Sequence, residues 1–108
     1  MTFGTTIGRT RTEIRSTVET FPSVVSAWGF GSHFRGEAFD DVDVLVILDC
    51  SRDAIVRLSN NLRVAFVELG GNLGVKFDLL ILTPTEFALR PLRDMDQLTS
   101  IYERRAIV

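Results

Sequence analysis

Two aspartates lie two residues apart at the start of an apolar segment that begins with Asp41 and Asp43 and continues to Leu48. In a strand both carboxylates would project from one face, with their roots roughly 6 to 7 Å apart. Aspartate is depleted in strands, because it adds no packing there and its charge is costly to desolvate near a core. A divalent cation would turn the repulsive pair into shared ligands, so the spacing predicts a metal site.

A third aspartate, Asp78, interrupts another apolar segment, which extends from Val75 to Leu82. If the two segments form neighbouring strands, Asp78 could supply a third metal ligand and accept a proton from an attacking hydroxyl. Taken alone, an ion pair with Lys76 explains Asp78 better. Similarly, the Asp41/Asp43 pair alone could cap a turn and pair with a lysine or arginine.

A glycine and a serine, Gly31 and Ser32, follow the first predicted strand directly. A glycine there lets backbone N–H groups approach an anion, and the serine hydroxyl adds a donor, so the turn is suited to phosphate. Arg35 in the same loop could contact phosphate or be a solvated surface residue, and both interpretations stay open. His33, the only histidine, is expected to touch solvent or substrate without a role as acid or base.

The elements that would position these residues follow from hydrophobic periodicity and turn residues. The second strand is apolar at odd and even positions, which predicts burial on both faces and helices on both sides of the sheet. Thr10 and Glu13 have capping-box spacing, and Gly70-Gly71 is a typical helix stop. The predicted elements are a helix at about 10–20, a strand at 23–30, a loop at 31–40 that could contain one helical turn, a strand at about 42–49, a helix that follows the N-cap Ser51 and stops at Gly70-Gly71, a strand at 75–82, a short helical turn at 85–89 and a helix at about 94–105.

The composition predicts one globular domain covering residues 1–108, with 45% hydrophobic and 24% charged residues. Twelve basic and fourteen acidic residues give a net charge of -2, so extended nucleic-acid binding and general attraction to anionic lipid are not expected. The single cysteine, Cys50, excludes an intramolecular disulfide and suits a reducing cytoplasm. We read no signal peptide and no membrane-spanning segment.

Taken together, these segments resemble the DNA polymerase β-type nucleotidyltransferase superfamily, and most of all its minimal members. The resemblance rests on Gly31-Ser32-His33-Phe34-Arg35-Gly36, on Asp41-Val42-Asp43 and on Phe77-Asp78-Leu79, and it spans about residues 7–83. It implies an α/β (α+β) fold, with a small mixed β-sheet of three or four strands flanked by helices.

The resemblance also implies a role for each matching residue. Gly31, Ser32 and Arg35 would bind the triphosphate of ATP or another nucleoside triphosphate. Asp41 and Asp43 would hold two Mg²⁺ ions, and Asp78 would bind one of them and assist the acceptor hydroxyl. The implied reaction transfers a nucleoside monophosphate, AMP where the donor is ATP, to a hydroxyl acceptor.

Minimal members of this superfamily are commonly paired with a small all-helical HEPN protein as a toxin–antitoxin system. By that analogy the chain would be the antitoxin, and a tyrosine of the HEPN toxin would be the acceptor. Two alternatives remain: an inactive binding module that neutralises or scaffolds a helical partner, and a subunit that modifies a small molecule.

Overall fold

The computed structural model describes residues 6–89 and 97–104. Within them no helix is long and apolar enough to cross a membrane. The helices and strands are α1 Ile7–Val18, β1 Val24–Phe30, α2 Gly31–Phe34, β2 Asp41–Leu48, α3 Arg52–Leu73, β3 Lys76–Leu82, α4 Pro84–Leu89 and β4 Thr99–Glu103.

The four strands form one mixed sheet in the order β3-β2-β1-β4. β1 pairs antiparallel with β2 on one side and with β4 on the other, whereas β2 and β3 are parallel. A parallel pair requires a long crossover connection, and the 22-residue helix α3 provides it. The predicted fold class, a small mixed sheet flanked by helices, is confirmed.

Both faces of β2 are buried, as the apolar run predicts. Its even-numbered residues from Val42 to Leu48 join the larger core cluster with side chains of α1 and α3. Leu45 and Ile47 belong to a smaller cluster on the other face, which includes Phe87 of α4. The short helical turn predicted before residue 90 is thus confirmed as α4, and it covers the second face.

The predicted start of the first helix at Thr10 is wrong, because α1 begins at Ile7 with Thr6 as its N-cap. The Thr6 hydroxyl accepts a hydrogen bond from the Arg9 backbone N–H at 3.2 Å. Thr10 lies buried within the helix, where its hydroxyl donates to the Thr6 carbonyl at 2.9 Å. A threonine inside a helix can satisfy its hydroxyl in this way, so capping-box spacing alone does not mark a helix start.

The predicted stop of α3 at Gly70-Gly71 is also wrong, because the helix continues to Leu73 and Gly74 is its C-cap in the left-handed conformation. Gly70 has a packing function instead, since a Cβ there would lie 2.6 Å from the Val75 carbonyl oxygen. Glycine lowers helix stability by about 1 kcal/mol relative to alanine, but here it permits close contact between α3 and the start of β3.

The predicted last helix is wrong where the structure describes it, because its second half forms β4. β4 pairs antiparallel with β1, and Tyr102 lies opposite Ala27. The predicted positions 94–96 and 105 lie outside the described residues. The helical pattern of this segment is short, and Ile101 and Tyr102 favour strands. In addition, the backbone of β1 needs hydrogen-bonding partners along the edge that faces away from β2.

His33 connects α2 to α1, and the expectation that it touches solvent is wrong, because its side chain is buried. Its Nε2 lies 3.0 Å from Oγ1 of Thr10, and its ring centroid lies 4.3 Å from that of Phe39. Since the Thr10 hydroxyl donates to the Thr6 carbonyl, it accepts from His33 Nε2–H. Burial lowers the pKa of the His33 imidazole. The neutral ring therefore holds α2 in place.

We expect the free energy of unfolding to fall as the pH drops below 6.5, the ordinary pKa of histidine. Unfolded chains bind a proton at His33 in this range, whereas folded chains bind it only at lower pH, so acid favours unfolding. His33→Asn removes this titration. Chemical denaturation at several pH values should therefore show a weaker acid destabilisation in the variant. An equal pH dependence in the two proteins would contradict this role of His33.

Candidate functional site

The three sequence-predicted aspartates lie at one end of the sheet because β2 and β3 run parallel. In the strand register Asp43 lies opposite Asp78, and Asp41 lies opposite Lys76. On its other side Asp43 lies opposite Phe30, the last residue of β1. The antiparallel β1 therefore delivers the turn that follows it to the same end of the sheet.

The carboxylates also share one face of the sheet. Asp41 and Asp43 alternate with buried residues of β2 and lie on the face of Leu45, while Asp78 lies on the face of Leu80. Leu45 and Leu80 pack in the same small cluster, opposite α1 and α3. The site thus lies on the α4 side, at the strand ends, where Asp43 is half-buried and Asp78 is exposed.

Gly31 brings the backbone of the turn after β1 directly against the Asp43 carboxylate. Its φ is +77°, in the left-handed region, and a Cβ at this position would collide with Asp43 Oδ2. Both constraints favour glycine, since other L-residues cost roughly 1 to 2 kcal/mol in this conformation. The turn that begins at Gly31 therefore lies directly against Asp43.

The electrostatics of Asp43 reflect this crowding. Burial raises the pKa of its carboxyl most, followed by the negative charges of Asp78 and Asp41 and by a hydrogen bond with Asp78. The positive charge of Arg35 acts in the opposite direction and lowers the pKa of Asp43. When both carboxyls are ionised, Asp43 and Asp78 repel each other, and a bound cation would offset that repulsion.

The donor set fits Mg²⁺ in its chemistry. Mg²⁺ binds hard oxygen ligands, commonly one or two carboxylates, and takes its other ligands from water and substrate phosphate. Asp43 and Asp78 supply such a pair, and the charge of Asp41 acts on Asp43. Among residues 6–89 and 97–104, however, no three His, Cys, Asp or Glu side chains are grouped closely enough to hold one metal ion together. Mg²⁺ binding by all three aspartates stays a prediction.

Ser32 and Arg35 occupy α2 and its C-cap. The Ser32 carbonyl accepts hydrogen bonds from the backbone N–H groups of Arg35 at 3.2 Å and of Glu37 at 3.0 Å, which closes the turn around Ser32. Arg35 is exposed and its Nε forms an ion pair with Glu37 at 3.1 Å. It nevertheless lies close enough for its charge to act on Asp43. The exposure of Arg35 agrees with the interpretation as a solvated residue, and its contact with phosphate stays a prediction.

Asp78 and His33 differ from the simplest interpretations of the sequence, which were an ion pair with Lys76 and a solvent-exposed loop residue. In the part of the chain that the structure describes, Asp78 forms no ion pair with Lys76. His33 contributes by supporting α2 from behind, through its buried contact with Thr10. Its role was missed because the sequence offers no local signal that links a loop histidine to a helix 23 residues earlier.

The contact between Gly31 and Asp43 can be tested with Gly31→Ala, because Gly36→Ala is a matched control with the same φ of +77° and no atom within 4 Å of its added Cβ. Both changes should lower the free energy of unfolding by roughly 1 to 2 kcal/mol. Only Gly31→Ala should displace the Asp43 carboxylate toward water and return its pKa toward the ordinary range. A ¹³C NMR titration of the carboxyl carbon measures this, and an unchanged Asp43 titration in Gly31→Ala would show that the contact is absent.

Repulsion within the carboxylate pair predicts that Asp43→Asn stabilises the cation-free protein at neutral pH, by roughly 0.5 to 1 kcal/mol. Because the folded state raises the pKa of Asp43, its ionised form is destabilising, and this advantage of the variant should disappear as falling pH protonates Asp43. Asp49→Asn, an exposed change beyond the other end of β2, is the control.

Millimolar Mg²⁺ should raise the thermal midpoint of the wild type and of Asp49→Asn more than that of Asp43→Asn, because the cation offsets the repulsion only where both carboxylates are present. Differential scanning fluorimetry measures all three proteins. Equal Mg²⁺ shifts in all of them would rule out a cation site at Asp43.

Comparison with known proteins places this geometry in a recognised fold. No protein-family profile matches the sequence, and no curated protein matches it significantly. A structure of a mutant of the toxin–antitoxin MntA–HpeT is 19% identical, with a TM-score of 0.59 over 87% of this chain and 72% of that chain. A structure of a toxin–antitoxin with AMP-PNP is 18% identical, with a TM-score of 0.59 over 88% of this chain and 74% of that chain. At this identity the likeness establishes that the chain shares the fold of these toxin–antitoxin structures.

Proposed function

We propose that this protein is a Mg²⁺-dependent nucleotidyltransferase, which moves a nucleoside monophosphate from a nucleoside triphosphate to a hydroxyl group. The observation that carries the proposal is the position of Asp43, which lies beside Asp78 on the neighbouring strand and against the backbone of Gly31. Groups suited to a cation and a turn suited to phosphate thus meet at one end of the sheet. Few structural roles would require such a costly arrangement of charge.

In this proposal the turn and the aspartates divide the substrate between them. Gly31 and Ser32 bind the triphosphate through backbone N–H groups and a hydroxyl, and Arg35 adds positive charge. Asp41, Asp43 and Asp78 are the ligands of two Mg²⁺ ions. ATP is the preferred donor, a choice supported by the similar fold of a protein whose structure was solved with the adenine nucleotide AMP-PNP.

The reaction is a displacement at the α-phosphorus. The acceptor oxygen forms a bond to this phosphorus, the bond from the phosphorus to the oxygen that bridges to the β-phosphate breaks, and pyrophosphate leaves with the electron pair. Asp78 takes the hydroxyl proton, a role that its exposed position on an edge strand allows. Bound Mg²⁺ would offset the charge of the phosphates and make the hydroxyl more acidic. The protein itself mainly positions these groups.

We further propose that the protein acts in the cytoplasm as the antitoxin of a toxin–antitoxin pair, with a helical HEPN-like partner whose tyrosine accepts the nucleotide. The two toxin–antitoxin structures of the same fold support a protein partner. Exposed apolar side chains also support one, because three of them have spacings that place them on one side of α3. The exposed side chains are Val56 at 69%, Val64 at 58%, Val67 at 76% and Leu89 at 77% exposure.

The same exposed apolar residues favour one alternative, in which the chain neutralises its partner by binding alone. The two functions differ in their dependence on Asp43. Under the enzyme proposal Asp43 is needed to transfer nucleotide, whereas a binding module requires only a folded surface.

A transfer assay separates the two functions. The protein is incubated with α-labelled ATP, Mg²⁺ and the small helical protein encoded beside it, and covalent label on either protein is measured. Wild type and the control Asp49→Ala should label the partner, and Asp43→Ala should reduce the rate by at least about 100-fold. If wild type transfers no label, the enzyme proposal fails. Equal neutralisation of the partner by Asp43→Ala would favour binding alone.

A further inference from the structure

A cleft of about 420 Å³ lies between α3 and the outer edge of β3, next to the aspartates. Its α3 side is lined by residues from Arg63 to Gly70, and its β3 side by residues from Val75 to Leu79. Asp78 is one of its lining residues, so the cleft borders the candidate site.

The walls of the cleft are largely apolar and aromatic. The rings of Phe66 and Phe77 pack edge to face, with centroids 5.2 Å apart and planes at 82°. Val67 faces the cleft from α3 and is 76% exposed. Such walls suit another aromatic side chain, which can pack against a phenyl ring at comparable distances.

The outward-facing backbone groups of β3 have hydrogen-bond partners at the two ends of the cleft, and those between the ends face the cleft. At one side the Val75 N–H donates to the Gly70 carbonyl at 3.0 Å. At the other side the guanidinium of Arg63 donates to the outward-facing Leu79 carbonyl at 3.0 Å. Backbone groups alternate in direction along a strand, so the N–H and C=O of Phe77 face outward between these two points. An extended peptide could pair there over about two residues.

Side-chain alternation relates this edge to the chemistry. Phe77 packs on the α3 face of the sheet, whereas Asp78 lies on the opposite face with the other aspartates. An extended segment beside β3 would alternate in the same way. One of its side chains would enter the cleft, and the next would lie above Asp78.

Positive charge at the rim narrows the choice of segment. Arg63 and Lys76 line the cleft, and within residues 6–89 and 97–104 neither forms an ion pair with a carboxylate. In a segment that runs parallel to β3, the residue before the anchor would lie beside Lys76, where an acidic side chain would complement the lysine charge.

We infer that the cleft is the acceptor subsite and binds an extended segment of a protein acceptor, in which an aromatic anchor precedes the hydroxyl-bearing residue and an acidic residue precedes the anchor. The inference rests on the proposed function for the role of the hydroxyl. The donor nucleotide does not compete for this space, because the Gly31 turn follows β1, two strands away from the outer edge of β3. Donor and acceptor thus approach the aspartates from opposite sides.

Peptide binding tests the subsite without any catalysis. The probes are acetyl-Glu-Phe-Tyr-amide, acetyl-Glu-Gly-Tyr-amide without the anchor, and acetyl-Lys-Phe-Tyr-amide with the charge reversed. Titration into ¹⁵N-labelled protein should shift the amide signals of Val67, Gly70 and Phe77 with the first peptide. The other two should bind at least about fivefold more weakly, since each loses one set of contacts.

Two variants on α3 provide the matched test. Val67→Glu places a carboxylate in the cleft, beside Arg63 and Lys76, whereas Asn61→Glu adds the same charge at an exposed position of α3 outside the cleft. Val67→Glu should weaken binding of acetyl-Glu-Phe-Tyr-amide at least about tenfold, and Asn61→Glu should leave it unchanged. Circular dichroism checks that both variants are folded.

The outcomes distinguish this inference from the proposed function. No peptide-induced shifts at the cleft, equal binding of the three peptides or equal effects of the two variants would overturn the acceptor subsite. ATP with Mg²⁺ but no peptide should leave the amide signals of the cleft residues in place. If ATP alone shifts the signals of Val67 and Phe77, the cleft belongs to the donor, and the acceptor subsite is overturned. Failure of the nucleotidyltransferase proposal appears separately, as an absence of label transfer by a wild type that still binds the peptide.

Discussion

The parallel register of β2 and β3 is the constraint on which the site depends, because it holds Asp43 beside Asp78. Two carboxylates on adjacent strands repel each other, and the raised pKa of Asp43 reflects this repulsion together with its burial. The chain accepts this cost at the ends of the strands, where water still reaches both groups. Farther along β2, every residue after Asp43 is buried and apolar, which fixes the register from both faces of the sheet. The core therefore positions charges that would separate if they were free to move.

Two contacts hold the turn at Gly31 and Ser32 against Asp43. Gly31 allows the backbone to approach Asp43 because it has no Cβ and adopts a positive φ. Behind the turn, His33 packs among aromatic rings and bonds to Thr10 of α1. The first support acts through the absence of a side chain and the second through a buried polar contact. Each fixes α2 relative to β2, so the distance between the turn and the carboxylates is set by packed elements rather than by a free loop.

The sequence predicted the parts of the structure that depend on local pattern. The strand that bears Asp41 and Asp43, the turn at Gly31 and the strand that bears Asp78 all followed from continuous apolar segments and turn residues. The errors arose where tertiary contacts decide. Residues near Ile101 form a strand because β1 has an edge to be paired, and α3 continues through Gly70 because that glycine packs against β3. The burial of His33 also depends on a helix that is distant in sequence. The adjacency of Asp43 and Asp78 could be assumed from the sequence, but only the strand order and register establish it.

The strand order also makes the two sides of the site different. In the order β3-β2-β1-β4, the strand that leads into Gly31 has a neighbour on each side, whereas the strand that carries Asp78 has an open edge in the described sheet. Under the proposed function, a substrate bound at the turn would lie over the interior of the sheet, and Asp43 would separate it from the edge. A second reactant can reach Asp78 from solvent without displacing the first. Because an in-line displacement needs the entering and leaving groups on opposite sides of the phosphorus, this asymmetry suits a donor held over the interior and an acceptor that enters across β3.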